Sequence, residues 1–187
     1  MEWIVLGIIG ALVLAIITIY NRLVALRQNR NNAYADIDVQ LRQRFDLIPN
    51  LVETVKGYAG HEKSVFEKVT QMRAKVADAD NPGERLEAEK QLGKAMIDIY
   101  AVAENYPELK ADENFQKLMA ELSDIENKIA AARRFFNNAT SEYNTSIQQF
   151  PANLIAGKFG FKEEEFYEVD ESEREVMNKS PDVKFGS

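Results

Sequence analysis

The sequence predicts an all-α protein in which an N-terminal transmembrane helix continues into an antiparallel up-down four-helix bundle with two long and two shorter helices. Three observations support this prediction: one long uncharged apolar run, helix-period apolar patterns without strand-like alternation, and only 9 glycines and 5 prolines in 187 residues. The predicted segments are a transmembrane anchor (1–21), the helical bundle (22–150), an apolar membrane-proximal segment (151–162) and an acidic, flexible C-terminal tail (163–187).

The predicted anchor is the run of residues 3–20, which contains no charged side chain. At about 1.5 Å per residue it spans roughly 27 Å, close to the hydrocarbon thickness of a bilayer. Trp3 and Tyr20 end the run, and both residue types favour the headgroup region. A cleaved signal peptide would have Lys or Arg before a shorter apolar core and a small-residue cleavage site after it. Only Glu2 precedes the run and no such site follows, so a retained anchor is favoured.

The orientation of the anchor is predicted from its flanking charges. Arg22, Arg27 and Arg30 follow the apolar run, whereas no basic side chain precedes it. Because basic residues concentrate on the cytoplasmic side of a membrane, we expect an extracytoplasmic N-terminus and a cytoplasmic bundle.

The longest helical pattern repeats apolar residues from Phe115 to Phe150, with gaps that alternate between three and four. Asp112 or Asn114 can cap its start and Pro151 ends it, so we expect one helix of about 38 residues. None of the inward positions that we assign on any helix is acidic.

The first bundle helix is expected to continue from the anchor as far as Gly57–Gly60. Pro49 lies inside it and is expected to bend or split it, because proline lacks an amide donor. Two shorter patterns, over 65–76 and 86–103, lie between the long helices. Their short connections make successive helices antiparallel neighbours.

This helix order predicts that the fourth helix ends at the bilayer surface, where residues 150–161 follow it. This segment is too short to span a membrane. It can lie among headgroups, or it can cover the end of the bundle or pack between subunits, and the sequence does not choose between these. The candidate membrane-interface or subunit-contact residues are Leu154, Ile155, Phe159 and Phe161.

The net charge of −7 argues against nucleic-acid binding, which needs a basic surface. Residues 163–187 carry nine acidic and three basic side chains, so the acidity is concentrated in the tail. The sequence predicts no metal site, cofactor or catalytic residue. With no cysteine and a single histidine, His61, neither a zinc site nor a paired Glu-x-x-His di-metal site is expected.

Two polar clusters are candidate interaction surfaces, although ordinary solvated helix surface is the simpler interpretation of both. The first lies around Pro49, where three polar residues share one helical stripe, and the second is a pair of arginines in the fourth helix. The residues are Asp46, Asn50, Glu53, Arg133 and Arg134.

The motifs that carry a resemblance are residues 20–24, 36–58, 121–135 and 150–157, together with Phe159-Gly160-Phe161. They resemble the LemA family of bacterial membrane proteins. The resemblance implies a single N-terminal span of the bacterial cytoplasmic membrane with an extracytoplasmic N-terminus, followed by an antiparallel helical bundle, and relatives associated with magnetosome membrane formation. It implies no catalytic mechanism.

These observations favour a non-enzymatic, membrane-anchored scaffold whose partners are the lipid bilayer and either a second copy of the chain or an unidentified protein. Phe135 and Phe136 are adjacent and cannot both face one narrow seam, so an exposed apolar edge is expected to promote association. The alternative is an adaptor or regulator of a membrane protease, transporter or signalling protein. A carboxylate-based hydrolase is the remote alternative.

Overall fold

The computed structural model describes residues 1–80 and 82–167, of which 84% are helical, with no strand among them. The predicted all-α class is therefore confirmed, including the apolar helix at the N-terminus. The helices are α1 (Glu2–Tyr58), α2 (Lys63–Ala77), α3 (Pro82–Glu104), α4 (Pro107–Ala111), α5 (Glu113–Gln148) and α6 (Asn153–Ala156).

The long helices follow the predicted boundaries closely. α1 is continuous from the apolar run to Tyr58 and has 57 residues, and α5 has 36. The start of α5 is capped by Asp112, whose Oδ1 accepts the backbone N–H of Phe115 at 2.8 Å. Phe150, the last apolar residue of the predicted pattern, is exposed because α5 has already ended. The short helices α4 and α6 were not predicted.

The chain divides into two compact units. The first unit comprises Met1–Tyr34 and the chain from Arg133 onward, and the second unit is Ala35–Ala132. Parts of α1 and α5 belong to each unit.

The core of the second unit is built from the apolar stripes of its helices. Each stripe recurs every three or four residues, as expected for helices that bury one face. Thus Ile48, Leu51 and Val55 of α1 are buried with Val69 of α2 and Leu122 of α5. The buried residues of α3 are Leu92, Ala95, Met96 and Ile99, among others.

Pro49 neither ends nor splits α1, because Arg73 of α2 compensates for its missing donor. Proline at position 49 cannot provide the N–H that would normally bind the carbonyl of Phe45. Arg73 Nε donates to that carbonyl oxygen at 3.4 Å, and its guanidinium lies 4.1 Å from the centroid of the Phe45 ring.

The core of the first unit is small and lies where the apolar run of α1 ends. Leu23 of α1 packs with Tyr143 and Ile147 of α5 and with Ala156 and Phe161, while Ile19 contacts this cluster from α1. The end of α5 and the segment after it therefore lie beside residues 19–26 of α1.

Candidate functional site

The apolar run of α1 is exposed along almost its whole length. Every residue from Met1 to Thr18 is exposed, and of residues 3–20 only Ile19 is half-buried. Contiguous apolar surface of this extent is not found on soluble monomers and marks a surface that faces lipid or a partner. By length and composition α1 is the one described helix that could span a membrane.

A second exposed apolar surface, which we call the apolar platform, adjoins the end of this run. It consists of Phe150, Leu154 and Phe159, which are 79%, 62% and 54% exposed. Phe159 contacts Tyr20 edge to face, with ring centroids 5.1 Å apart. The platform therefore meets the end of the apolar run at the contact of Phe159 with Tyr20.

The four candidate interface residues do not all belong to this surface. Leu154 and Phe159 are exposed, whereas Ile155 is half-buried and Phe161 is only 4% exposed. Phe161 packs in the core of the first unit, with its ring 5.6 Å from that of Tyr20 and the Arg27 guanidinium 5.0 Å from its centroid. Phe161 is therefore a core residue of the first unit. Phe150, which was not among the four candidates, is exposed instead.

Residues 161–167, which we call the C-terminal strap, lie along α5 in non-helical conformation. The side-chain amide of Asn144 binds both backbone groups of Glu164: Nδ2 donates to the carbonyl oxygen and Oδ1 accepts the N–H, each at 2.9 Å. Asn137 binds Tyr167 in the same way, at 3.2 Å and 2.8 Å. The strap runs antiparallel to α5, because the later strap residue meets the earlier asparagine.

The predicted flexible tail begins at Glu163, but its first five residues belong to this strap. Asparagine amides bind the main-chain groups of Glu164 and Tyr167, so these two residues are held against α5, whereas Glu163, Glu165 and Phe166 are exposed. Residues 168–187, which make up the rest of the predicted tail, lie outside the described residues.

Basic side chains of α1 and α5 contact the strap and its neighbours. Arg30 pairs with the carboxylate of Glu164 at 3.2 Å, donates to the carbonyl of Glu165 at 3.2 Å, and lies 4.8 Å from the ring centroid of Phe136. Arg133 lies 4.9 Å from the ring centroid of Tyr167. Arg22 and Arg134, by contrast, are exposed.

Tyr143 of α5 is fully buried in the core of the first unit. Burial raises the pKa of its phenol above the ordinary value, and the nearby Glu164 carboxylate raises it further. Its side chain therefore stays neutral over the physiological range.

The second unit contains a buried ion pair that the sequence analysis missed. Arg44 and Glu89 are 4% and 2% exposed; Arg44 Nη2 donates to the Glu89 carboxylate, and Arg44 Nη1 donates to Glu126 Oε1 at 3.0 Å. Burial alone would lower the pKa of Arg44, but the Glu126 and Glu89 carboxylates raise it above its ordinary value. The assignment of every inward position as non-acidic was therefore wrong.

A signal for this pair exists in the sequence. Arg44 lies three residues after Leu41 and four before Ile48, on the apolar stripe of α1. Glu89 lies three residues before Leu92 in α3, on the apolar stripe of that helix. Gly93 lies beside the guanidinium, where a Cβ would be in ordinary van der Waals contact with Arg44 Nη1 at 3.9 Å.

The structure does not bring the predicted polar clusters together into a site. Asp46, Asn50 and Glu53 are exposed on α1. Glu53 pairs with Lys56 of the same helix at 2.9 Å, and the Asn50 carbonyl accepts the Thr54 hydroxyl at 2.8 Å. These contacts are those of a solvated helix surface. Within 1–80 and 82–167, no three acidic, histidine or cysteine side chains lie close enough to hold a metal ion.

The family model described as the LemA family matches residues 33–185. The chain belongs to the LemA family. This confirms the resemblance found in the sequence motifs.

Curated relatives include both LemA and magnetosome proteins. The chain is 26% identical to magnetosome protein MamQ 2 of Paramagnetospirillum magneticum, over 80% of this chain and 64% of that protein. It is 25% identical to magnetosome protein MamQ of Magnetospirillum gryphiswaldense, over 79% and 64%. It is 25% identical to protein LemA of Metamycoplasma hominis, over 86% and 74%. The match thus spans slightly under two thirds of the two magnetosome relatives. Together with the candidate span, these matches indicate that this LemA-family chain is membrane-associated.

Proposed function

We propose that this LemA-family chain is a non-enzymatic scaffold that is anchored in the bacterial cytoplasmic membrane and self-associates to organise membrane or partner proteins. The observation that carries the proposal is the exposed apolar run of α1, which continues without a break into a helix of the packed core.

The proposal includes a topology. Arg22, Arg27 and Arg30 follow the apolar run, which favours an extracytoplasmic N-terminus with the remaining chain in the cytoplasm. It also includes an antiparallel up-down arrangement of α1, α2, α3 and α5, supported by the short connections between them and by a second-unit core to which all four contribute.

Contact with lipid is proposed for the apolar platform. Phe150, Leu154 and Phe159 are exposed next to Tyr20, where the apolar run of α1 ends, and aromatic side chains favour the headgroup region. Lys158 lies between platform residues and can extend its ammonium group toward lipid phosphates. The platform would therefore hold the first unit against the bilayer surface.

Association with protein is proposed because apolar side chains remain exposed outside the platform. Phe135 is 50% exposed while its neighbour Phe136 is buried, as expected for two adjacent phenylalanines on one helix. Two relatives are named as magnetosome proteins, and the resemblance supports a role at a membrane.

The proposal is tested by cross-linking the full-length chain in intact membranes at native abundance with an amine-reactive reagent. We expect homo-oligomers, which become monomeric when the membranes are dissolved in a denaturing detergent before the reagent is added. A single stoichiometric heterologous partner without homo-oligomers would instead support the adaptor function. Monomers alone, with no partner captured, would contradict both.

A further inference from the structure

Two asparagines of the groove that holds the C-terminal strap bind the main chain of the strap. Asn137 and Asn144 each bind the N–H and the carbonyl of one strap residue. Seven helical residues advance by about 10.5 Å and three extended residues by about 10 Å, so the two asparagines match Tyr167 and Glu164 in spacing. The groove therefore fits an extended segment in one register.

Side chains then select which segment is bound. The groove buries Phe161, pairs Arg30 with Glu164, and places Tyr167 against the rings and cations of α5. The ring centroids of Tyr167 and Phe136 are 6.4 Å apart. These contacts specify an aromatic residue, an acidic residue three positions later and a second aromatic residue three positions after that. The strap itself has this pattern, with Phe161, Glu164 and Tyr167.

The connection that leads into the strap is suited to a change of partner. Residues 157–160 join α6 to the strap, with a glycine at each end, and Gly160 has a φ of +74°, which favours glycine over residues with a Cβ. Phe159 within this connection is exposed. If the connection opens, the strap can leave its own groove and enter that of a second copy, where its contacts with Asn137, Asn144 and Arg30 are re-formed between chains.

Such an exchange costs little in contact energy, because the intermolecular contacts are the same as the intramolecular ones. The cost is the entropy of bringing two chains together. Copies anchored in one bilayer are confined to a plane at fixed depth, which raises their effective concentration. Anchoring thus lowers the entropic cost of the exchanged state relative to that of free chains in solution.

We propose that copies of this chain self-associate by exchanging the C-terminal strap, residues 161–167, into the groove formed by Asn137, Asn144 and Arg30 of a second copy. This inference rests on the proposed function, because it names the surface through which the scaffold associates.

The test uses the natural absence of cysteine from the chain. Gln148 on α5 and Glu163 on the strap face each other, with Gln148 Nε2 3.0 Å from Glu163 Oε1, and both are exposed. Full-length Gln148→Cys and Glu163→Cys variants, carrying different tags, are co-expressed in membranes and treated with a short bis-maleimide cross-linker. We expect a heterodimer that contains both tags.

A matched control uses a pair that is in contact within one copy but does not involve the strap. Lys68 and Asp98 are 2.7 Å apart and similarly exposed, so co-expressed Lys68→Cys and Asp98→Cys variants should give no heterodimer. Adding Asn144→Leu to the Gln148→Cys chain should reduce heterodimer yield roughly tenfold, since two main-chain hydrogen bonds are lost. Asn138→Leu, on the exposed neighbouring residue, should leave it unchanged.

The inference is overturned if the Gln148→Cys and Glu163→Cys chains form no heterodimer while a chain carrying both substitutions is cross-linked within itself. If amine-reactive cross-linking still yields homo-oligomers in that case, the proposed function stands and only strap exchange is wrong. If neither reagent yields oligomers, both proposals are wrong.

Discussion

At the scale of single residues, the feature that most constrains the second unit is the pairing of Arg44 with Glu89 inside its core. Desolvating two charges opposes folding, and their attraction offsets that cost only when the geometry is good. Here Arg44 also donates to Glu126 and to the Glu89 carbonyl at 3.4 Å, so the guanidinium is bound from three directions. Such a pair fixes which face of α1 meets α3.

Removing one member of this pair should be costly. Arg44→Leu leaves the Glu89 carboxylate buried without its cation, and we expect the free energy of unfolding to fall by about 3–5 kcal/mol. The double variant Arg44→Leu with Glu89→Leu should be less destabilised than Arg44→Leu alone. Thermal unfolding in detergent, followed by circular dichroism, measures both.

An exposed pair supplies the control. Lys68 and Asp98 are 54% and 44% exposed, so Lys68→Ala should cost only about 0.2–1 kcal/mol. Equal decreases in the free energy of unfolding for Arg44→Leu and Lys68→Ala would contradict the structural role assigned to the buried pair.

Asp112 is expected to make the start of α5 sensitive to acid. The backbone N–H of Phe115 and the hydroxyl of Tyr58 both donate to its carboxylate and hold its pKa below the ordinary value, about 3.9. A lowered pKa in the folded state contributes stability that is present above that value and is lost as pH falls through the folded-state pKa.

The corresponding measurement is the pH dependence of unfolding for the natural chain and Asp112→Asn. The natural chain should be more stable at neutral pH, and the difference should shrink as pH falls below about 4. Tyr58→Phe removes one donor and should give a smaller difference. A difference that does not change with pH would contradict this assignment.

At the scale of elements, α1 shows how one helix can tolerate an internal proline. Pro49 leaves the Phe45 carbonyl without its helical donor, and Arg73 of α2 donates to it while stacking on the Phe45 ring. The helix therefore continues because a neighbouring helix replaces the missing hydrogen bond.

This arrangement predicts energetic coupling between Pro49 and Arg73. Arg73→Ala should destabilise the natural chain more than it destabilises Pro49→Ala, because alanine at position 49 restores the helical hydrogen bond. The coupling in a double-mutant cycle should be about 0.5–1.5 kcal/mol. Additive effects of the two substitutions would show that Arg73 does not act through the Phe45 carbonyl.

The apolar platform is expected to lie at lipid depth, whereas the exposed Phe135 of α5 is not. With Trp3, the single tryptophan, replaced by Phe, full-length Phe159→Trp reconstituted in brominated lipid should show quenched fluorescence. Phe135→Trp is the matched control, since Phe135 is 50% exposed and Phe159 is 54% exposed. Equal quenching of the two variants would argue against selective contact of the platform with lipid.

At the scale of the whole molecule, the apolar period of the sequence predicted most of the helix boundaries. Burial of one helix face produces this period, and the period lasts as long as the helix does. The helix α5 follows this rule, with Asp112 capping its start and Pro151 lying just beyond its end at Gln148, and so does the part of α1 that lies in the second unit. The all-α class and the family follow from the same patterns.

Two features of the candidate site could not be predicted in this way. Predicting the Arg44–Glu89 pair requires knowing which helices pack together. A polar residue on an apolar stripe does not identify the residue with which it pairs. The strap is held by main-chain hydrogen bonds, which leave no apolar period in its sequence. The signal for it was Asn137 and Asn144, seven residues apart on one face of α5, where side-chain amides can bind an extended chain.

The central claim is that the apolar run of α1 lies in the bilayer and holds the remaining chain on the cytoplasmic side. Because the chain contains no cysteine, single cysteine variants labelled with a membrane-impermeant maleimide in intact cells test this directly. We expect Glu2→Cys to be labelled in intact cells, Gly10→Cys to resist labelling, and Glu67→Cys to be labelled only after the cells are permeabilised. Labelling of Glu67→Cys in intact cells, or of Gly10→Cys as readily as Glu2→Cys, would contradict the account.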